Sequence, residues 1–312
     1  PGRYDEEWVV VLDDWIDGTG RTPDNVLAGL RERGSADGER GAGDLSGMGG
    51  MDHGGMPGMG GSSTGMGGMG HGGMPGMGGS STGMGGMDHG GMSGMGAAGS
   101  PLLGGDGGDV AYPHYVINGR LAGAPQVLTG RPGQRVRVRV VNAASDTAFR
   151  VALGGHQLTV THSDGYPVTR ARTDALLIGM GERYDVELTL GDGVYPFVAR
   201  AEGKTGQALA LVRTGGGRRP PADVRPAELE GRVLTGTDLV ADPAVRLTRQ
   251  PVDRLHDLVL GGSMSPYRWT INGATFPDST PLPVAQGERV RLRLANMSTM
   301  FHPMHVHGHT FG

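Results

Sequence analysis

Apolar and polar positions divide the chain into stretches of different kinds. Near the start, Glu6-Glu7-Trp8-Val9-Val10-Val11-Leu12-Asp13-Asp14-Trp15 holds a β-branched apolar run that ends at a Gly18-Thr19-Gly20 turn, which predicts one buried strand. Thr22-Pro23 then offers an N-cap and a first-turn proline, and a short helix is predicted to end near Gly34. From residue 110 onward the pattern is one of short strands broken by Gly and Pro turns. Arg135-Val136-Arg137-Val138-Arg139-Val140 alternates strictly, and residues 184–190 do the same. Period-two alternation is the signature of half-buried antiparallel strands, so the expected class is all-β, built as sandwiches.

Two internal repeats refine this. Ile117-Asn118-Gly119 recurs as Ile271-Asn272-Gly273, Gly133 as Gly287, and residues 135–142 as 289–296, all at one offset of 154. The same β-domain is therefore expected twice. Carrying the register forward sets Ala148, Val151 and Leu153 of the first copy against His302, His305 and His307 of the second. Apolar filler in one copy and potential ligands in the other suggest one structural and one metal-bearing domain. The second repeat, between residues 47 and 96, has a period of 18 and is dominated by Gly. Such a composition cannot offset its ordering entropy, which predicts a disordered Gly/Met-rich insertion rather than a solenoid.

Composition narrows the partners. The 28 basic and 32 acidic residues leave a net charge of -4 and are spread along the chain, which offers no footprint for nucleic acid or an anionic membrane surface. No apolar run reaches the roughly 20 residues that span a bilayer. Cys is absent, so disulfides are excluded. Twelve of the 17 Met lie in the insertion. The opening Pro1-Gly2-Arg3 is neither an initiator nor a signal peptide, and the chain stops just after its richest His cluster, so both ends are expected to be cut.

That cluster reads Phe301-His302-Pro303-Met304-His305-Val306-His307-Gly308-His309. On a strand, His305 and His307 would share one face and His302 would take the other, so that one strand could serve two metal sites. Neutral imidazole suits copper, zinc or iron; a solvated His-rich tract is the alternative on spacing alone. His162 and Asp164, two apart, could relay protons or be structural, and His114 and His156 read as core or surface residues.

The motif His302-Pro303-x-His305-x-His307-Gly308 resembles the ligand motif that opens the copper set of the last cupredoxin domain in bacterial three-domain multicopper oxidases. Residues 9–15, Tyr115-Val116-Ile117-Asn118-Gly119-Arg120, His162-Ser163-Asp164-Gly165-Tyr166-Pro167, residues 178–185 and Tyr267-Arg268-Trp269-Thr270-Ile271-Asn272-Gly273 resemble further segments of the same family. The resemblance implies tandem cupredoxin-like Greek-key β-sandwiches. It implies that residues 1–22 end a first domain and 23–109 form a linker holding the insertion. A second domain without copper ligands would occupy 110–215, a linker 216–255, and the start of a third domain 256–312.

By the same resemblance, His302 corresponds to a type 1 copper ligand, His305 to a type 2 ligand and His307 to a type 3 ligand. The parent would hold four coppers (one type 1, one type 2, two type 3) and would be exported. It would oxidise Cu(I) or phenols one electron at a time and reduce O2 to water. Type 1 copper also needs a Cys thiolate, which this chain lacks, so the chain alone is expected to be inactive. Thioether sulfur is soft and selects Cu(I). Met48, Met51, His53, Met56, Met59, Met66, Met69, His71, Met74, Met77, Met84, Met87, His89, Met92 and Met95 are accordingly candidates for Cu(I) capture, which turns the expected substrate toward cuprous ion and copper tolerance. The competing reading is a non-catalytic Cu(I)-storage protein. A two-domain copper nitrite reductase fits less well, because a ligand-free domain lies between two others.

Overall fold

The structure, a computed structural model, describes residues 4–43 and 99–312. The insertion's Met and His candidates, between positions 48 and 95, lie outside the described residues. In chain order the elements are β1 (Glu6–Trp15), α1 (Pro23–Gly43), β2 (His114–Ile117), β3 (Arg120–Leu121), β4 (Val127–Thr129), β5 (Arg135–Asn142), β6 (Phe149–Leu153), β7 (Leu158–Ser163) and β8 (Tyr166–Thr173). There follow β9 (Ala175–Ile178), β10 (Arg183–Thr189), β11 (Val194–Ala201), β12 (Gln207–Arg213), β13 (Val233–Leu234), β14 (Arg254–Met264), β15 (Tyr267–Ile271) and β16 (Val290–Asn296). No helix among the described residues is long and apolar enough to cross a membrane.

The alternation in β5 does what the sequence implies. Val136, Val138 and Val140 are fully buried or nearly so, while Arg135, Arg137 and Arg139 face outward. Their sheet has the order β3-β2-β1-β5-β10-β7-β8, and it packs on a second of order β13-β9-β6-β11-β12-β4. Trp8, Val10 and Leu12 from the first meet Val151, Leu153, Ile178 and Phe197 from the second in one core. Each such buried aliphatic side chain contributes about 1.5–3 kcal/mol of transfer free energy. The all-β sandwich is as expected.

The expected domain boundaries are not where the sheets divide. The resemblance places β1 at the end of a preceding domain, yet it lies between β2 and β5, antiparallel to the first and parallel to the second. The reason is pattern: its buried apolar positions, Trp8, Val10 and Leu12, belong to the core of this sandwich, while Val9 and Trp15 on the other face are exposed. Residues 216–255 are more than a linker, since β13 pairs with β9 and both Leu229 and Leu234 are buried. Helix α1 runs past Gly34 to Gly43. It begins at the expected cap, where the Thr22 N–H donates to Asn25 Oδ1 (2.9 Å) and the Asn25 N–H to Thr22 Oγ1 (3.3 Å).

The third sheet, β15-β14-β16, reproduces β2-β1-β5. Leu12 faces Ile117 and Asn142; Leu260 faces Ile271 and Asn296. Thus β14 matches β1 at an offset of 248, whereas β15 and β16 match β2 and β5 at 154. The connection from β1 to β2 therefore carries 94 residues more than its counterpart, and the Met-rich repeat falls inside that connection. In the first copy this three-strand unit is covered by the second sheet. In the other, Leu255, Val259, Ile271 and Leu294 are exposed among the described residues.

Candidate metal centre

Three elements converge on the His segment: β16 leads into it, β15 packs against its start, and residues 163–168 of the middle sandwich flank its end. After Asn296 the chain leaves the sheet, and residues 301–306 have no strand partner. The expected strand through His302–His307 is thus not present. Pro303 removes a ladder donor there, and among the described residues no strand lies beside the segment to pair with it. The His305 and His307 rings are adjacent, with centroids 5.0 Å apart and planes at 86°, and both residues are exposed. His302 stands apart from them, edge-on to Trp269 at 5.8 Å.

His302 Nε2 lies 2.7 Å from Ser298 Oγ. Burial pushes its imidazole below the usual histidine range, against an opposing pull from Asp109; the neutral ring this favours is the form that can ligate a metal. The Asp109 carboxylate accepts from Tyr267 Oη at 2.8 Å, and Tyr267 packs on Trp269. Position in the sequence gave no hint of Ser298, Tyr267 or Trp269 as neighbours of the site. For Ser298 the signal available was the repeat, in which its counterpart is Ala144.

His305 and His309 open on a cavity of about 440 Å³ also lined by Tyr166, Leu239, Met304 and Phe311. Its wall carries the Asp164–Arg183 ion pair at 3.1 Å. That pairing bears on the His162–Asp164 reading: Asp164 is engaged by Arg183, while His162 Nδ1 contacts Thr161 Oγ1 at 3.0 Å, so the two do not form a relay. His156 is buried with both ring nitrogens occupied, Nδ1 on the Gly154 carbonyl (2.9 Å) and Nε2 on the Gly191 N–H (3.0 Å), which is a structural role.

The donor chemistry fits copper, since imidazole nitrogen is a good ligand for it and the exposed His305–His307 pair is free of strand pairing. Among the described residues no three His, Asp or Glu side chains converge on one point, so these residues supply part of a ligand set.

Comparison with known proteins agrees. Two family models, both described as multicopper oxidase, match residues 102–217 and 249–312. The multicopper oxidase MmcO of Mycobacterium tuberculosis is 43% identical over 313 residues, covering 100% of this chain and 52% of the relative. A copper resistance protein A homolog of Pseudomonas syringae pv. tomato is 24% identical, over 62% of this chain and 48% of its own length. Among solved structures, a mutant of the laccase from Botrytis aclada superposes with a TM-score of 0.52 at 17% identity, over 95% of this chain and 49% of that one, which speaks to the fold alone. The chain spans about half the length of the curated relatives it matches. On the two family models, which together match more than half of it, and on the close relative that matches it throughout, the chain belongs to the multicopper oxidase family.

Proposed function

We propose that this chain is part of an exported oxidase that couples one-electron oxidation of Cu(I), or of phenolic substrates, to four-electron reduction of O2 to water in copper tolerance. One observation carries the reading: where the first copy of the repeated β-unit has Ala148, Val151 and Leu153, the second has His302, His305 and His307. Copper, four ions in the whole protein, would supply the electron-accepting and O2-reducing chemistry. In this chain His302 would hold the type 1 ion, with Trp269 packed against the ring to exclude water from one side. The adjacent rings of His305 and His307 would serve type 2 and type 3 ions respectively. The storage alternative is not favoured by membership of an oxidase family.

Cuprous ion is the preferred reductant in this proposal because of the Met and His positions between 48 and 95. Support comes from where the flanks of that segment are tied. On one side Ser265 Oγ donates to the Gly34 carbonyl at 2.6 Å. On the other, Asp106 bridges to Met300, two residues from His302. One flank thus meets the turn between β14 and β15, and the other meets the turn between β16 and the His segment.

The test uses the whole protein loaded with copper. Oxygen uptake is measured with Cu(I) and with a phenol, for the unaltered protein, for His305→Ala and His307→Ala, and for a variant with the insertion's Met replaced by Ser. Uptake with Cu(I), lost with bound copper in the His variants and reduced at least tenfold at low Cu(I) in the Ser variant, is expected. Full copper content in the His variants, or no uptake with either reductant, would overturn the proposal.

A further inference from the structure

An aromatic path leads from the surface to His302. Tyr267 and Trp269 stand two apart on β15 and so share a face. Their rings meet edge-on with centroids 6.1 Å apart, and Trp269 meets His302 edge-on at 5.8 Å. Tyr267 in turn lines a cavity of about 540 Å³, shared with the exposed Trp15 and Leu27. The backbone makes room for the path: opposite Trp269 in β14, a Cβ at Gly262 would come within 2.8 Å of Trp269 Cε3. At its outer end the path has a proton acceptor. Tyr267 Oη donates to Asp109 Oδ2 at 2.8 Å, while Asp109 Oδ1 is buried with no partner. An unpaired buried oxygen costs stability, and the packing of Tyr267 does not require it. In the first copy of the repeated unit the path is absent. At the offset of 154, Pro113 stands for Tyr267 and Ala148 for His302. The aromatic that remains in place of Trp269, Tyr115, packs edge-on to Phe149 of the core at 5.7 Å.

We propose that Tyr267 is a redox-active residue through which external one-electron donors reduce the copper that His302 helps to hold. Tyr267 gives up one electron by way of Trp269 and His302 to a cupric ion, which becomes cuprous. As it does so its O–H bond breaks and the proton passes to Asp109 Oδ2, already hydrogen-bonded to it. Without that acceptor the oxidised ring would be a cation in a half-buried site, which is costly. A donor in the cavity then returns one electron to the Tyr267 ring, the proton comes back from Asp109, and the donor leaves oxidised by one electron. Tyr267 and Asp109 end as they began. Donors that never touch His302 can thereby reduce the metal it holds.

The proposal rests on the reading of His302 as a copper ligand, and that reading is checked separately: in the whole protein loaded with copper, His302→Ala is expected to lose bound copper, and full copper content there would sink it. The path itself is tested by following reduction of the cupric ion without O2, as stopped-flow loss of its visible absorption. The donor is a ferrocene bearing a quaternary ammonium group, which supplies one electron and has no exchangeable proton. Reduction of the unaltered protein is expected to be slower in deuterium oxide, because the Tyr267 proton moves with the electron. Tyr267→Phe and Asp109→Asn should each slow reduction by about tenfold or more and abolish the isotope effect, with copper content and absorption spectrum unchanged. A merely structural role would not give that combination. Equal rates in the two solvents for the unaltered protein would overturn the proposal, as would a Tyr267→Phe protein reduced as fast as the unaltered one. Should Tyr267→Phe fail to fold, the isotope effect still decides, together with Asp109→Glu, which keeps the acceptor and is expected to keep both the rate and its solvent dependence.

Discussion

Asn118 and Asn272 carry the same task in the two copies of the repeated unit. Each has a positive φ, 50° and 53°, a backbone region that Asn tolerates better than most residues. Each ties the next strand by side chain: Asn118 Oδ1 accepts from the Val11 N–H (2.7 Å) and Nδ2 donates to the Val9 carbonyl (2.9 Å), while Asn272 does the same with Val259 (2.8 Å) and Asp257 (3.0 Å). Replacing Asn118 with Ala removes both bonds, together with the one that Nδ2 donates to Gln126 Oε1 (2.6 Å), and adds left-handed strain, at a cost of about 2–4 kcal/mol. Asn118→Gly relieves the strain and leaves the bonds unmade, so in urea unfolding it is expected to recover part of that loss. Wild-type stability in the Gly variant would show that the side-chain bonds contribute nothing. The recurrence of Asn-Gly at an offset of 154 was legible in the sequence; the partner, more than 100 residues away in the first copy, was not.

At the scale of elements, the third sheet has few buried apolar side chains and carries two bidentate ion pairs at its surface. Arg254 meets Glu288 through two nitrogens (2.7 and 2.5 Å), and Arg293 meets Asp257 likewise (2.5 and 2.7 Å). The Arg254 hydrogen bonds, with help from the Ala285 N–H, hold the Glu288 carboxyl down at about 2; Arg293 lowers Asp257. A carboxyl lowered on folding stabilises above its unfolded pKa and loses that contribution as pH falls toward the folded one. Between roughly pH 4.5 and 2, then, β14–β16 is expected to loosen before the middle sandwich does. Amide resonances of Val259 and Leu294 should broaden or shift in that window while those of Val138 and Val186 persist; simultaneous loss of all four would refute it. The His segment belongs to this scale as well. Its residue identities were readable from spacing, but its departure from strand geometry was not, because pairing depends on a neighbour that spacing does not reveal.

Across the whole molecule the decisive fact is the place of β1. It is an interior strand of the seven-stranded sheet, bonded on both sides, and it brings Trp8, Val10 and Leu12 to the core. A chain of residues 99–245 that lacks it is therefore expected not to fold by itself, giving poorly dispersed NMR spectra. Adding a peptide of residues 4–17 should restore dispersion by strand complementation. A well-dispersed spectrum without the peptide would mean that β1 is dispensable and that the expected boundary after residue 22 was the better one.

Local pattern determined what local physics controls. Alternation in β5, the cap at Thr22, the repeated Asn-Gly turns and the His spacing depend on nearest neighbours along the chain, and each was readable there. Tertiary structure decided which distant segments meet. The 98 residues between Trp15 and His114 conceal the pairing of β1 with β2, since closing a longer loop costs only slowly more entropy and leaves no mark in sequence. For the same reason Ser298 could be recognised as a partner of His302 only once the turn after β16 had brought the hydroxyl within hydrogen-bonding distance of the ring.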